Sequence, residues 1–194
     1  MPEPEPIHAH AADNLRFIRD AMSKAGQFTA VPGWGGVAMG VTALAASALA
    51  ARETSPTLWL QWWLGEAAVA VLIAAITMAR KARRLDLPLL AKPAQRFALA
   101  YVPPLVAGAV LTPVFFGNGL SARLPGCWLL LYGVAIATAG TLSVRAVQIM
   151  GLVFMALGAA SFAAPVQYGN LFMAAGFGGL HIVFGAIIAR NHGG

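Results

Sequence analysis

The chain has 194 residues, of which 59% are hydrophobic and only 10% are charged. A soluble domain is about half apolar and about a quarter charged, so this composition excludes an ordinary soluble globular protein and predicts an integral membrane protein. The net charge of +6 is then expected to reflect orientation in the membrane. Nucleic acid is not an expected partner, because no basic face is interleaved with aromatic residues.

Residues 1–28 form the first of two predicted regions. Proline and glutamate alternate at its start, which predicts a flexible polar tail, and the absence of a basic segment there argues against a cleaved secretory signal. After the N-cap candidate Asp13, Leu15, Ile18 and Met22 share one helical stripe. This stripe predicts a short amphipathic helix on the cytoplasmic membrane face, and a solvated helix packed on the bundle is the alternative.

The second region, residues 29–194, is predicted to be one transmembrane domain. A helix needs about 20 apolar residues to cross about 30 Å of hydrocarbon, and six stretches meet this requirement. Their predicted bounds are 31–51, 58–79, 97–116, 124–143, 146–164 and 170–189. The alternating pattern of a membrane barrel is absent. The predicted fold class is therefore all-α: a polytopic bundle of six transmembrane helices, preceded by the short amphipathic cytoplasmic helix.

The distribution of lysine and arginine predicts the orientation of this bundle. Six crossings place both termini on one side, and eleven basic residues fall on that side, against only Arg52 and Arg123 on the other. Cytoplasmic loops near span ends retain Lys and Arg. We therefore expect a multi-pass protein of the inner (plasma) membrane with both termini in the cytoplasm, in a bacterium by default.

The predicted loop 80–96 carries the densest basic cluster, which begins with Arg80, Lys81, Arg83 and Arg84. Basic residues beside a bilayer are attracted to anionic lipid by about 1 kcal/mol each. The cluster therefore predicts binding to anionic lipid at the cytoplasmic face. Docking of a partner protein from a membrane complex is the alternative.

Glycine spacing bears on how the spans pack. Gly36 and Gly40 have the spacing that lets two membrane helices touch, which predicts packing within the bundle or across a homo-oligomer.

Stretches 31–41 and 124–134 also align at an offset of 93 residues. An inverted repeat of three plus three spans and a series of three hairpins both fit this pattern.

Two ionisable residues, Glu66 and His181, lie within predicted spans. A charged group in hydrocarbon costs roughly 2.5 to 3.5 kcal/mol on insertion scales, so each must be neutral, paired or next to water. The two residues differ in depth by about one helical turn, and neighbouring spans would let carboxyl and imidazole share a proton. A histidine bonded to a backbone carbonyl, and a glutamate near the membrane interface, are the alternatives.

Prolines and tryptophans complete the candidate features. Pro103, Pro104 and Pro113 lie in the third predicted span, and each lacks an amide donor and clashes with the preceding turn. We therefore expect this helix to bend or break, as helices do around solute sites in transporters, and a kink that serves only packing is the alternative. Tryptophans at the outer ends of spans two and four fit an interfacial belt, with an aromatic solute box as the alternative.

The sequence shows no catalytic constellation and no set of metal ligands, so neither an enzyme nor a cofactor is predicted. The leading hypothesis is a protein that binds or transports a small solute, proton-linked through Glu66 and His181, with Pro103 and Pro104 on the route. The alternative is a non-catalytic structural or regulatory membrane subunit, which docks a partner through its basic loop or N-terminal helix.

Overall fold

The computed structural model describes residues 14, 28–86 and 91–192. Within these residues the chain is all-helical, and it contains six helical rods that are long and apolar enough to cross a membrane. Nearly all of the predicted amphipathic helix, residues 15–27, lies outside the described part.

The first five rods are regular α-helices: α1 Gly33–Ala50, α2 Pro56–Arg84, α3 Lys92–Gly117, α4 Leu124–Gly140 and α5 Arg145–Ala163. The sixth rod, α6, begins as the α-helix Gly169–Met173, continues as the π-helix Ala174–Leu180 and ends as the α-helix His181–His192. Helices α2 and α3 extend further into the basic loop than predicted, because alanine, lysine and arginine are good helix formers and a proline is tolerated in the first turn of α3.

Successive rods run in opposite directions, which gives the bundle two ends. At one end the Phe28 amide donates to the Leu142 carbonyl at 2.8 Å, and at the other the Arg123 guanidinium donates to the Phe162 carbonyl at 2.9 Å. The first is called the basic end, because it carries Arg80, Arg83, Arg84, Arg145 and Arg190. The second is called the tryptophan end, because it carries Trp59, Trp62, Trp63 and Trp128.

Glycines seven residues apart join α4 and α5 in a close antiparallel pair. They are Gly126, Gly133 and Gly140 on α4, and Gly151 and Gly158 on α5. A Cβ added at Gly133 would lie 2.6 Å from the Met155 nitrogen, and one at Gly158 would lie 2.6 Å from the Leu130 nitrogen. Only hydrogen fits at these positions, so the two backbones are in direct contact.

The same spacing joins α1 and α6, where Gly33 and Gly40 face Gly178 and Gly185. A Cβ at Gly40 would lie 2.6 Å from the Gly178 carbonyl oxygen, and one at Gly36 would lie 3.2 Å from the Gly185 Cα. The packing glycines predicted from the sequence, Gly36 and Gly40, thus lie in a contact within the bundle.

The six rods form two halves of three helices each. Helix α1 packs against α2 and α6 in one half, and α4 packs against α3 and α5 in the other. These neighbour relations are the ones that a three-plus-three repeat would give. The glycine contacts do not follow it, because Gly33 faces α6 whereas the aligned Gly126 faces α5.

The outer surface of the bundle is strongly apolar. Leu99 is 74% exposed, Val71 is 69% exposed and Leu171 is 64% exposed. Soluble monomers rarely expose contiguous apolar patches larger than a few hundred Å². This surface and the six long apolar rods together indicate a multi-pass membrane protein.

Candidate functional site

A cleft of about 440 Å³ lies between α2 and α3, which do not pack along their lengths, and reaches the centre of the bundle. Tyr132 of α4 and His181 of α6 lie on its floor. Leu64 and Val71 of α2 line it and are 50% and 69% exposed, so the cleft opens between helices on the side of the bundle. Its volume lies in the range of small-molecule sites, roughly 300 to 1,000 Å³.

Glu66 lies on the α2 wall of this cleft and is partly buried. The Thr42 hydroxyl of α1 donates to Glu66 Oε1 at 2.8 Å, and the same hydroxyl is 2.9 Å from the Met39 carbonyl oxygen. No described residue donates to Oε2. Glu66 therefore keeps hydrogen-bond acceptor capacity for a molecule in the cleft.

His181 is buried, with only 4% of its surface exposed. Its Nε2 lies 2.7 Å from the Tyr132 hydroxyl. Its Nδ1 is buried and has no hydrogen-bond partner among the described residues. The ring packs edge-on against Phe154 and parallel to Phe177, with centroids 5.4 and 6.1 Å away. The imidazole is thus held by one hydrogen bond inside an aromatic cluster.

The π-helix Ala174–Leu180 ends directly before His181. Such turns contain an extra residue relative to an α-helix and occur frequently at functional sites. Its sequence, AAGFGGL, contains three glycines, and Gly178 of this segment packs against Leu44. The apolar pattern of the sixth span looks the same in α and π geometry, so sequence reasoning missed this feature.

Glu66 and His181 share the cleft but do not bond to each other. The carboxyl oxygen pairs with Thr42 and the imidazole pairs with Tyr132. The direct contact considered from the sequence is therefore not formed.

The prolines of α3 do not break the helix, which is continuous from Lys92 to Gly117. Pro104 lines the cleft, whereas Pro103 is exposed on the outer surface. Because Pro104 has no amide hydrogen, the Ala100 carbonyl loses its usual donor. The Thr138 hydroxyl of α4 lies 3.0 Å from this carbonyl oxygen and 2.7 Å from that of Val134. A neighbouring helix thus compensates for the proline, as membrane helices require.

Tryptophans close the cleft towards the tryptophan end. Trp63 is only 3% exposed, and the rings of Trp59 and Trp128 stack with centroids 5.8 Å apart. The prediction that Trp63 belongs to an interfacial belt is therefore wrong, because its side chain is buried. Trp62 is 40% exposed, which is compatible with such a belt. Trp63 and Trp128 line the cleft instead, as the alternative of an aromatic solute box expects.

Asn170, which sequence reasoning did not select, fastens this tryptophan layer. Its Oδ1 accepts the indole hydrogens of Trp59 and Trp63 at 3.2 and 3.1 Å. Its Nδ2 donates to the Ser47 carbonyl at 2.9 Å and to the Ser47 hydroxyl at 3.0 Å. One amide therefore connects α1, α2 and α6. The available signal was an asparagine at the start of an apolar span.

The basic cluster is divided by the fold. Arg80, Arg83 and Arg84 are exposed at the end of α2. Lys81 is 5% exposed and donates to the Val31 carbonyl at 3.0 Å. Since α2 continues as a helix beyond its predicted end, position 81 faces the bundle, and the structure removes Lys81 from the predicted docking surface.

No family model, curated protein or solved structure matches this chain. The function must therefore be inferred from the geometry of the cleft.

Proposed function

We propose that this chain is an integral inner-membrane protein that binds or transports a small solute in the cleft between α2 and α3, with proton linkage through Glu66 and His181. One observation carries the proposal: a single cleft of about 440 Å³ reaches both ionisable residues. Intramembrane ionisable residues are costly and usually face a cavity or pathway, and these two do so.

The contacts of Glu66 favour a ligand-binding role over a purely structural one. A carboxyl that fastened helices would use both oxygens in bonds between them, as Asn170 uses its whole amide. Only Oε1 of Glu66 is used, by Thr42. Oε2 is left for a solute or water in the cleft.

Tyrosines extend from His181 towards the basic end and support proton linkage. Tyr132 bonds to His181 at 2.7 Å, and its ring lies edge-on to that of Tyr101 on α3, with centroids 6.3 Å apart. Tyr101 in turn stacks on Phe97 near the basic end, with centroids 5.9 Å apart. Hydroxyl and imidazole groups in such a row can relay protons.

The proposed orientation places both termini and the basic end in the cytoplasm. The supporting observation is the excess of lysine and arginine at that end, against Arg52 and Arg123 at the tryptophan end. Exposed Arg80, Arg83 and Arg84 would then face anionic lipid at the cytoplasmic surface. They are also the surface on which the alternative, a structural or regulatory subunit, would dock a partner. Co-purification with a stoichiometric partner, lost on R80S/R83S/R84S, would favour that alternative.

Proteoliposomes that contain a trapped pH-sensitive dye test the proposed function. A panel of cationic, anionic and neutral small solutes is added in turn, and the internal pH is followed. We expect at least one solute to move protons with the wild type, and Glu66→Gln and His181→Ala to abolish this movement. Glu53→Gln is the matched control, because Glu53 lies outside the cleft and accepts a hydrogen bond from Trp62.

A second pair of variants separates solute binding from proton linkage. Ala70→Phe fills the cleft, which Ala70 lines, whereas Ala68→Phe adds the same ring on an exposed surface outside it. Loss of coupling only with Ala70→Phe supports a solute in this cleft. Equal coupling in both phenylalanine variants would remove the cleft from the proposal, and full coupling in Glu66→Gln and His181→Ala would remove the proton linkage.

A further inference from the structure

The described side chains that line the cleft include an acidic group and no basic group that is always charged. Among the residues that the structure describes, Glu66 is the only acidic side chain that lines it, and neither lysine nor arginine lines it. The other titratable groups that face it are Tyr101 from α3, Tyr132 from α4 and His181 from α6, and α1 contributes only the Thr42 hydroxyl near Glu66. A ligand therefore meets one carboxyl group and no fixed positive charge.

Three hydrogen-bond donors that line the cleft, those of Trp63, Trp128 and Thr112, are already used. The Trp63 indole donates to Asn170 and the Trp128 indole donates to Thr112. The Thr112 hydroxyl donates to the Gly108 carbonyl, and Tyr132 pairs with His181. These three donors are closed to an anionic or acceptor-rich solute, and the unpartnered His181 Nδ1 is buried beneath the floor of the cleft, whereas Glu66 Oε2 offers an unused acceptor.

Aromatic rings form an arc along the floor of the cleft. Trp63, Phe177, Tyr132 and Tyr101 follow one another, with centroid separations of 6.2, 5.1 and 6.3 Å. Trp63 also precedes Glu66 by three residues, which places both on the same face of α2. The faces of such rings attract cations by about 0.5 to 2 kcal/mol.

The mouth of the cleft lies between α2 and α3, where the apolar side chains of Leu64 and Val71 are exposed. A solute that entered through this mouth would come from the hydrocarbon region of a membrane, so it must itself dissolve in lipid. Apart from Glu66, Thr112, His181 and the polar atoms of the tyrosines and tryptophans, the described lining is apolar.

From these four observations we infer that the cleft takes a lipophilic organic cation, which enters from the bilayer between α2 and α3 and pairs with Glu66. The inference rests on the proposed solute-binding function and names its substrate class. Because one carboxylate in an apolar site can be neutralised by a proton or by a bound cation, the two compete. Binding of the cation to protonated Glu66 therefore releases that proton to water, which is the coupling step of an exchange of cation for proton.

The experiment uses two hydrophobic ions of the same shape and opposite charge, tetraphenylphosphonium and tetraphenylborate. The full chain is placed in nanodiscs of zwitterionic lipid, so that the membrane surface does not select for charge, and binding of each ion is measured at equilibrium. We expect saturable binding of tetraphenylphosphonium with one ion per chain, and no saturable binding of tetraphenylborate. In weakly buffered solution below the pH at which Glu66 ionises, cation binding should release about one proton per ion.

Variants assign this binding to the cleft. Glu66→Gln should weaken tetraphenylphosphonium binding at least tenfold and abolish proton release, Glu66→Asp should restore part of both, and Glu53→Gln should match the wild type. Ala70→Phe should prevent binding, whereas Ala68→Phe should not. Far-UV circular dichroism and gel filtration of each variant identify any that fails to fold, and Glu66→Asp keeps the test decisive if Glu66→Gln does not fold.

Three results would overturn the inference. Equal binding of both ions, unaffected by Glu66→Gln but prevented by Ala70→Phe, would show a cleft that binds solutes without selecting cations, so the proposed function would stand. Cation binding that survives Ala70→Phe would place the ion elsewhere. Absence of binding by either ion, together with absence of proton movement for every solute in the proteoliposome assay, would overturn the proposed function as well.

Discussion

Replacing Asn170 by alanine should loosen the tryptophan end of the bundle. The substitution removes two hydrogen bonds donated to Ser47, at 2.9 and 3.0 Å, and two accepted from Trp59 and Trp63, at 3.2 and 3.1 Å. Hydrogen bonds between membrane helices average about 0.6 kcal/mol each, so losing four should lower the free energy of unfolding by about 2.4 kcal/mol. The buried Trp63 indole is also left without an acceptor, which acts in the same direction.

Reversible unfolding in mixed micelles of a mild detergent and dodecyl sulfate, followed by circular dichroism, measures this loss. Asn118→Ala is the matched control, because Asn118 is exposed and its amide donates only to Val114 within its own helix end. We expect the control to change the free energy of unfolding by less than about 0.5 kcal/mol. An equally small change for Asn170→Ala would refute the idea that this amide holds α1, α2 and α6 together.

Three further substitutions probe the glycine contact between α4 and α5, the hydrogen bond of His181 and the carbonyl group beside Pro104. Gly151→Ala places a Cβ 2.6 Å from the Ala137 Cα and should lower the free energy of unfolding by about 1 to 3 kcal/mol in the same assay. Gly65→Ala is the control and should leave it unchanged, because a Cβ at Gly65 has nothing within 4 Å. Equal effects of the two substitutions would contradict the close contact of α4 and α5. Tyr132→Phe leaves buried His181 Nε2 without its partner and should shift the imidazole ¹⁵N resonances, and unchanged resonances would show that this bond is not formed. Thr138→Val leaves the Ala100 carbonyl beside Pro104 unsatisfied and should lower stability by about 1 kcal/mol. Thr141→Val should not reproduce this loss, because the Thr141 hydroxyl donates to the Thr138 carbonyl within its own helix end and joins no second helix.

The sequence was sufficient to predict six apolar rods because length and hydropathy depend on local composition. It also led to Glu66 and His181 as candidates, since ionisable residues in apolar spans are rare and usually face a cavity or pathway, and their role in binding stays a prediction. Both face one cleft in the structure. Which rods are neighbours depends on contacts between distant residues, and apolar composition does not record these.

Part of this missing information was present in the glycines. The seven-residue spacing of Gly126 and Gly133, repeated in Gly151 and Gly158, marks the faces that pack in contact between α4 and α5. The expectation that the prolines could break α3 was wrong for a related reason. The effect of Pro104 on α3 depends on whether another helix supplies a donor, and Thr138 is 34 positions further along the chain.

The close glycine contacts between α1 and α6 and between α4 and α5 have a mechanical consequence. These contacts join one pair of helices in each half of the bundle, α1 with α6 and α4 with α5, so we expect each pair to move as one rigid unit. The halves meet through rings such as Phe154 and Phe177, which slide more easily than backbones in contact, and the cleft lies on their boundary. We therefore expect the easiest collective motion of the bundle to be a rocking of one half against the other. Such rocking would widen the gap between α2 and α3 at one end of the bundle and narrow it at the other.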